Sequence, residues 1–232
     1  MKITEMSLGE RPRERLIAEG AGALSNSELL AVILRSGTSK TNVLELSRSI
    51  IENCEGRLTE LSKYSFKELC QISGIGPGKA SVLAASFELG RRFMSESIDK
   101  KLPLTNSEMV YRLMIPKLKG LRHEECYIIC LSATHKVNGI HLIGRGTEDS
   151  VLFEPRDAIK KAFENGSKAL ILTHNHPGGN PLPSNADIER TNTLSKACIA
   201  CDLVLLDHII VSDDKYYSFA DEKVYCPGIC KE

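Results

Sequence analysis

Residues 174–187 read HNHPGGNPLPSNAD. Two histidines two residues apart at the end of a strand point to the same face, because strand side chains alternate. The prolines and glycines that follow end the strand and form a loop. Ser184 and Asp187 then have the spacing of a helix N-cap and its third helical residue. We therefore expect a strand–loop–helix unit that brings His174, His176 and Asp187 together.

This donor set is typical of a catalytic zinc site. Two imidazoles and one carboxylate fill three corners of a tetrahedron and leave the fourth for water, whose pKa zinc lowers towards about 7. Ser184 is placed to donate a hydrogen bond to the developing oxyanion, and a carboxylate from elsewhere must act as the base. We predict Glu125, directly before the expected strand at residues 126–132, as that base.

The sequence around this unit predicts a mixed sheet with helices packed on it, a fold of the α/β class. A hairpin is expected from apolar runs at residues 126–133 and 140–144, around a turn containing Asn138-Gly139. The other predicted elements are helices over residues 155–165 and 184–201 and strands over 169–173, 203–206, 209–211 and 216–219. His208, between two of these strands, is interpreted as a structural residue, a neighbour of a ligand or an alternative ligand.

Residues up to about 95 predict only helices, over 25–34, 43–53, 65–72 and 79–93. Between the last two lies Gly74-Ile75-Gly76-Pro77-Gly78-Lys79, which resembles a helix-hairpin-helix. Glycines let a backbone approach a phosphate, N–H groups of the second helix point at it, and a lysine adds charge. Gly74, Gly76, Gly78 and Lys79 are therefore candidate nucleic-acid contacts that do not read base sequence. The alternative interpretation is a glycine-rich turn joining two helices.

Two domains are expected in this chain of 232 residues. Residues 96–103 are polar and aperiodic, which predicts a linker. The helical domain would then cover residues 1–95, and the α/β domain would cover residues 104–226.

Composition is that of an ordinary globular protein, with 42% hydrophobic residues. Lys plus Arg and Asp plus Glu number 30 each, so the protein has no net positive charge that would attract it to nucleic acid. An apolar run of membrane-spanning length and a signal-peptide pattern are both missing from the sequence, and we expect a cytoplasmic protein with no membrane partner. In that compartment the eight cysteines are expected to be mostly thiols.

The pattern H-x-H-P, then S-x-x-D after seven residues counted from that proline, resembles the signature of JAMM or MPN+ metalloproteases. The resemblance implies an MPN domain, a JAB1/MPN-like and cytidine-deaminase-like fold. It also implies zinc ligands His174, His176 and Asp187, general base Glu125 with Glu124 as the alternative, and Ser184 as the residue that stabilises the tetrahedral intermediate.

The chain resembles the bacterial RadC (UPF0758) family over nearly its whole length. The segments that carry this resemblance are Arg11-Pro12-Arg13-Glu14-Arg15-Leu16, Leu24-Ser25-Asn26-Ser27-Glu28-Leu29-Leu30, Glu154-Pro155-Arg156, residues 174–187 and Asp207-His208-Ile209-Ile210-Val211. Members of that family carry a helix-hairpin-helix, which implies DNA binding or protein docking. The family's name links it to DNA repair without indicating which bond is cut.

Three functional hypotheses follow. The first is a zinc metallopeptidase or isopeptidase that hydrolyses an amide of an unidentified peptide or protein with zinc-activated water. The alternative is a DNA-associated repair or recombination protein that uses the hairpin, and the third is a scaffold with an idle site.

Four cysteines offer a rival metal site of four thiolates: Cys198, Cys201, Cys226 and Cys230. Cys198 and Cys201 are explained equally well as small buried apolar residues of a helix.

Overall fold

The computed structural model describes residues 5–96, 103–146 and 153–227. The chain divides into two compact units, Met1–Gly90 and Arg91–Glu232. Residues 97–102, which form most of the predicted linker, lie outside the described part of the chain.

Helices and turns make up the described part of the first unit. The α-helices are α1 (Pro12–Glu19), α2 (Asn26–Leu34), α3 (Val43–Asn53), α4 (Leu58–Ser62), α5 (Phe66–Gln71) and α6 (Pro77–Glu96). Three of them begin with a capping box, in which the N-cap side chain and the third helical residue satisfy each other's backbone N–H groups. Their apolar faces form one core that includes Leu30, Ile50, Leu61, Leu69 and Leu83. Burial of these side chains holds the short helices together.

Strands of the second unit form one sheet. Within the described residues its order is β2-β1-β3-β4-β5-β6. The strands are β1 (Glu125–Leu131), β2 (Val137–Arg145), β3 (Ala169–Asn175), β4 (Val204–Val211), β5 (Tyr216–Ser218) and β6 (Lys223–Tyr225). Strands β3 and β4 are parallel, and the other pairs are antiparallel. A parallel pair needs a crossover, and helix α9 (Asn185–Ala200) provides it.

Side-chain alternation gives the sheet two apolar faces. On one face, α7 (Ser107–Leu118) packs against odd-numbered residues of β1 and β3 such as Ile129 and Ile171. On the other face, α8 (Pro155–Glu164) and α9 pack against even-numbered residues of the same strands, such as Ile128 and Leu172. In β1 and β3, odd-numbered side chains therefore face α7, and even-numbered side chains face α8 and α9.

The predicted hairpin of β1 and β2 is present, but its turn was predicted at the wrong residues. The two strands are joined by residues 132–136, and Asn138-Gly139 lies inside β2. The Ser132 hydroxyl organises the actual turn, because it accepts hydrogen bonds from two backbone N–H groups there. Glycine at position 139 instead lets the Asn165 side chain approach the backbone of β2 closely, since a Cβ at this position would lie 2.5 Å from Asn165 Oδ1.

Residues 203–206 and 209–211 were predicted as separate strands, whereas the structure has one strand, β4. The polar pair between the two predicted strands, Asp207-His208, is part of β4. Asp207 accepts hydrogen bonds from the Ser218 hydroxyl and the Ala220 N–H, so its carboxylate is satisfied at a position that the sequence pattern indicates as a break.

The architecture confirms the predicted α/β class, with a helical unit before a mixed sheet. Among the helices of the described ranges, none has the length and apolar character needed to cross a membrane.

Candidate metal centre

The end of β3 and the start of α9 bring two imidazoles and a carboxylate together. One ligand atom from each of His174, His176 and Asp187 lies within 4.8 Å of the other two. The Nε2 atoms of the two histidines are 3.0 Å apart. Asp187 Oδ1 lies 3.3 Å from His174 Nε2, and Oδ2 lies 3.5 Å from His176 Nε2. The three side chains predicted as ligands therefore form a group that could hold a metal ion.

Local sequence explains this convergence. His174 lies in β3 and His176 directly follows it, so both point to the same face of the sheet. Because α9 crosses over to the parallel strand β4, it starts at the carboxyl end of β3. Ser184 caps that start in a capping box, which places the Asp187 side chain at the first turn.

The donor set fits a divalent cation. His176 Nδ1 lies 2.8 Å from the carbonyl oxygen of Asn180. A carbonyl only accepts, so Nδ1 carries the hydrogen and Nε2 of the neutral ring has a free electron pair. That pair points towards Asp187 and the Nε2 of His174. A cation between these groups would be bound by both Nε2 atoms and the carboxylate.

The protonation states of His174 and Asp187 suit metal binding. Burial lowers the pKa of His174 to about 3. Although burial opposes protonation of His176, the neighbouring Asp187 carboxylate and the Asn180 carbonyl raise its pKa, so a metal ion must compete with a proton for Nε2. Burial likewise opposes ionisation of Asp187, but the nearby His176 and His174 rings and the hydrogen bonds from Ser184 hold its pKa well below the ordinary value. Asp187 is thus a carboxylate and His174 a neutral imidazole at neutral pH, as ligands must be.

Glu124, and not Glu125, is the acidic residue beside this cluster. Glu124 Oε1 lies 3.9 Å from His176 Nε2, and Glu124 is 5% exposed. Glu125 instead bonds to Arg145 at 2.9 Å and to the Tyr127 hydroxyl at 2.8 Å. Burial opposes its ionisation, but Tyr127, His123 and Arg145 keep the pKa of Glu125 below its usual range. The structure therefore places the alternative, Glu124, beside the cluster, and the role of either residue as a base stays a prediction.

Strand alternation explains this placement. Cys126 is directly opposite His174 in the antiparallel pair of β1 and β3, so the two side chains share a face. Glu124 precedes Cys126 by two residues and faces the same way, whereas Glu125 faces the α7 side. The sequence of β1 shows that its odd-numbered and even-numbered residues face opposite sides of the sheet. It does not show which side holds the histidines, and the choice between Glu124 and Glu125 depends on that.

Asn175, between the two histidines, holds the backbone around Glu124. Its Oδ1 accepts a hydrogen bond from the Glu125 N–H at 2.8 Å, and its Nδ2 donates to the His123 carbonyl at 3.0 Å. The paired backbone of β1 and β3 ends at Cys126 and His174. The amide of Asn175 therefore continues the pairing by one step and positions Glu124. Sequence reasoning assigned no role to Asn175.

Ser184 lines a cleft of about 280 Å³. The cleft is also lined by Glu124, His176, Asp187 and Arg190. Its hydroxyl donates to Asp187 Oδ2 at 2.6 Å and accepts from the Asp187 N–H at 3.2 Å. In this structure Ser184 therefore orients the carboxylate. A role in stabilising an oxyanion would require the hydroxyl hydrogen to turn from Asp187 into the cleft.

His208 contacts a member of the cluster without joining it. Its Nε2 lies 2.8 Å from His174 Nδ1, the nitrogen that points away from the cleft, and His208 is 1% exposed. Of the interpretations open from the sequence, the structure selects a neighbour of a ligand.

The cysteines do not form a comparable cluster among the described residues. Cys198 is buried in the core between the sheet and α8 and α9, and burial raises the pKa of its thiol to about 11. Cys201 and Cys226 are partly buried free thiols, and Cys230 lies outside the described residues. Cys198 therefore packs as a small apolar side chain.

The glycine-rich hairpin joins α5 to α6, as predicted, but α6 begins at Pro77 and not at residue 79, so Gly78 and Lys79 lie in its first turn. Gly74 adopts a φ of +85°, which favours glycine, whereas a Cβ at Gly76 or Gly78 would meet open space. Lys79 Nζ donates to the carbonyls of Gly37 at 2.8 Å and Gly74 at 3.0 Å. Two of its three hydrogens thus join the hairpin to the chain before α3. Nucleic-acid contact by these four residues remains a prediction.

A Lys79→Met substitution should lower the stability of the protein, because two carbonyls lose a charged donor. We expect a loss of about 1–2 kcal/mol in the free energy of unfolding, measured by urea denaturation. Lys67→Met is the matched control, since Lys67 is an exposed lysine on α5. Unchanged stability together with lost binding to duplex DNA would instead indicate that Lys79 contacts phosphate.

Comparisons with known proteins cover both units. A family described as RadC-like JAB domain matches residues 104–224, and one described as UPF0758 N-terminal matches residues 3–81. The first match contains the whole cluster, and the second contains the glycine-rich hairpin.

Individual relatives are similar over nearly the full chain. A UPF0758 protein of Bacillus cereus is 40% identical over 222 residues, covering 95% of this chain and 97% of the relative. One from Staphylococcus haemolyticus is 38% identical over 96% of this chain and 97% of its own length. A third, from Chloroflexus aurantiacus, is 36% identical over 95% and 96%.

Proposed function

Because the chain belongs to the UPF0758 family and carries its RadC-like JAB domain, we propose that it is a zinc-dependent hydrolase of the JAMM type. Its substrate would be an amide bond of a peptide or an isopeptide. One observation carries the proposal: His174, His176 and Asp187 converge beside the buried carboxylate of Glu124, at a cleft open to a substrate.

The chain's own residues would hold the metal through Nε2 of His174, Nε2 of His176 and the carboxylate of Asp187. A zinc ion bound there polarises a carbonyl group and lowers the pKa of water. Two nitrogens and one oxygen are a ligand set that suits zinc and leaves room for a further ligand. The cleft on the side of Glu124 and Ser184 provides that room.

Glu124 would move the proton. Its carboxylate lines the cleft and lies close to His176. It would accept a proton from the attacking water and deliver it to the nitrogen of the leaving amine. Hydrogen bonds of Asn175 to the backbone on both sides of Glu124 keep this carboxylate at the cleft, as an acid–base group requires.

Ser184 would have two tasks. Its hydroxyl holds Asp187 in the orientation that faces the histidines. When a substrate carbonyl enters the cleft, the hydroxyl could donate to the developing oxyanion instead, while the backbone N–H of Ser184 keeps its own bond to Asp187 Oδ2 at 2.9 Å.

The test is hydrolysis that depends reversibly on zinc. The full-length protein is incubated with a panel of peptides and isopeptide-linked peptides, and new amines are detected by mass spectrometry. We expect cleavage that disappears after chelation and returns when zinc is added back. The Asp187→Ala variant serves as the control for contaminating peptidases. Cleavage that survives both chelation and this substitution would contradict the proposal.

A further inference from the structure

A chain of three hydrogen bonds runs behind the metal centre. His174 Nδ1 lies 2.8 Å from His208 Nε2, and His208 Nδ1 lies 2.7 Å from Thr191 Oγ1. Thr191 Oγ1 in turn donates to the backbone carbonyl of Asp187 at 2.6 Å. The chain begins at one residue of the proposed ligand set and ends at another. It therefore joins β3, β4 and α9 behind the cleft.

The last acceptor determines the direction of every hydrogen bond in this chain. A carbonyl only accepts, so the single hydroxyl hydrogen of Thr191 points at Asp187. Thr191 must then accept from His208, which places the hydrogen of His208 on Nδ1. A neutral His208 has its electron pair on Nε2 and accepts from His174 Nδ1. The electron pair of His174 is consequently on Nε2, the nitrogen that faces His176 and Asp187.

The surroundings of His208 keep its ring in this orientation. The ring stacks on Phe219, with centroids 4.6 Å apart and planes 9° from parallel. The Phe219 N–H donates to the His208 carbonyl at 3.0 Å. Asp207 accepts from Ser218 and Ala220 on either side of Phe219. A ring that is 1% exposed and stacked in this way is not free to turn.

We propose that His208 and Thr191 are positioning residues that set which nitrogen of His174 binds the metal. This inference rests on the metal site of the proposed function, but it concerns a hydrogen arrangement that exists before any metal arrives. Without the Thr191 hydroxyl, His208 could carry its hydrogen on Nε2 and donate to His174 Nδ1. The hydrogen of His174 would then move to Nε2 and block the metal-binding position.

The experiment compares Thr191→Val with Thr191→Ser. Valine keeps the shape of threonine and removes the hydroxyl, whereas serine keeps the hydroxyl. We expect Thr191→Val to bind zinc or cobalt about 10- to 100-fold more weakly than the native protein, and Thr191→Ser to bind like the native protein. Competition with a chromophoric chelator measures the affinity.

A second threonine provides the matched control. Thr193, on the same helix, donates to the Glu189 carbonyl at 2.9 Å. It is exposed and is not part of the hydrogen-bond chain through His208. Thr193→Val loses the same kind of bond between a hydroxyl and the carbonyl four residues earlier. Its metal affinity should be unchanged, which separates the proposed effect from a general weakening of α9.

A second readout does not require metal. Nitrogen-15 NMR of the imidazoles in the metal-free protein distinguishes a hydrogen on Nδ1 from one on Nε2. We expect Nδ1–H for both His174 and His208 in the native protein, and loss of that arrangement in Thr191→Val. Native metal affinity in Thr191→Val, or Nε2–H on His174 of the native protein, would overturn the proposal. A native protein that shows the expected hydrogens but binds no metal would contradict the proposed function alone.

Discussion

Replacing His176 with alanine should leave the purified protein without zinc. A structural zinc site with four ligands binds with about 10–16 kcal/mol, or roughly 2.5–4 kcal/mol per ligand, so losing one ligand should weaken binding about 10²- to 10³-fold. His176 lies beyond the end of β3 and lines the cleft, outside the two apolar cores of the sheet, so its removal should leave the fold intact. Zinc per chain is measured by elemental analysis after dialysis against buffered zinc, and folding is checked by circular dichroism.

His135→Asn is the control for this experiment. His135 is an exposed turn residue with a φ of 58°, a conformation that asparagine tolerates. This variant should keep the zinc of the native protein. Fewer than about 0.3 zinc per chain in the native protein, or unchanged zinc in His176→Ala, would refute a zinc site built on three ligands.

Glu124→Gln and Glu125→Gln should have opposite consequences although they alter adjacent residues. Glutamine at position 124 keeps the shape of the side chain but cannot accept the proton, so turnover should fall about 10²- to 10⁴-fold while zinc remains bound. Glutamine at position 125 weakens the contacts to Arg145 and Tyr127, on the other face of β1. It should lower the melting temperature and leave most of the turnover.

The substrate found in the peptide panel allows kcat to be measured for both variants. Zinc content is determined in parallel, so that loss of metal is not mistaken for loss of the base. Glu124→Gln also offers a means of trapping substrates, because it should bind them without cleaving them. Loss of turnover in Glu125→Gln with activity retained in Glu124→Gln would reverse the assignment.

Features set by neighbouring residues could be predicted from the sequence. The helix starts at Ser25 and Ser65 follow from capping boxes within four residues. The mixed sheet follows from the change in apolar period after the helical region, and β3 was predicted to within two residues. Helix α7 was not predicted; it buries Val110, Leu113 and Met114 against the sheet but has a proline near its end.

Turns and polar residues inside strands were harder to predict. Asn138-Gly139 is a strong local turn signal, yet the pairing of β1 with β2 places it within a strand. Asp207 suggests a break in β4, but partners from a segment eleven and thirteen residues later satisfy its carboxylate. In both cases contacts outside the local window overrode the local preference.

By itself, the sequence determined the proposed metal ligands, because His174, His176 and Asp187 lie within fourteen residues whose strand, loop and helix cap follow from local chemistry. Only the tertiary structure decided the groups around them. The face of β1 that meets the histidines depends on its register with β3, about fifty residues away in sequence, and this register selects Glu124 over Glu125. The contact of His208 with His174 likewise depends on how β3 and β4 pair. Side-chain periodicity shows that a strand has two faces, but only its pairing with the neighbouring strand decides which residue each face meets.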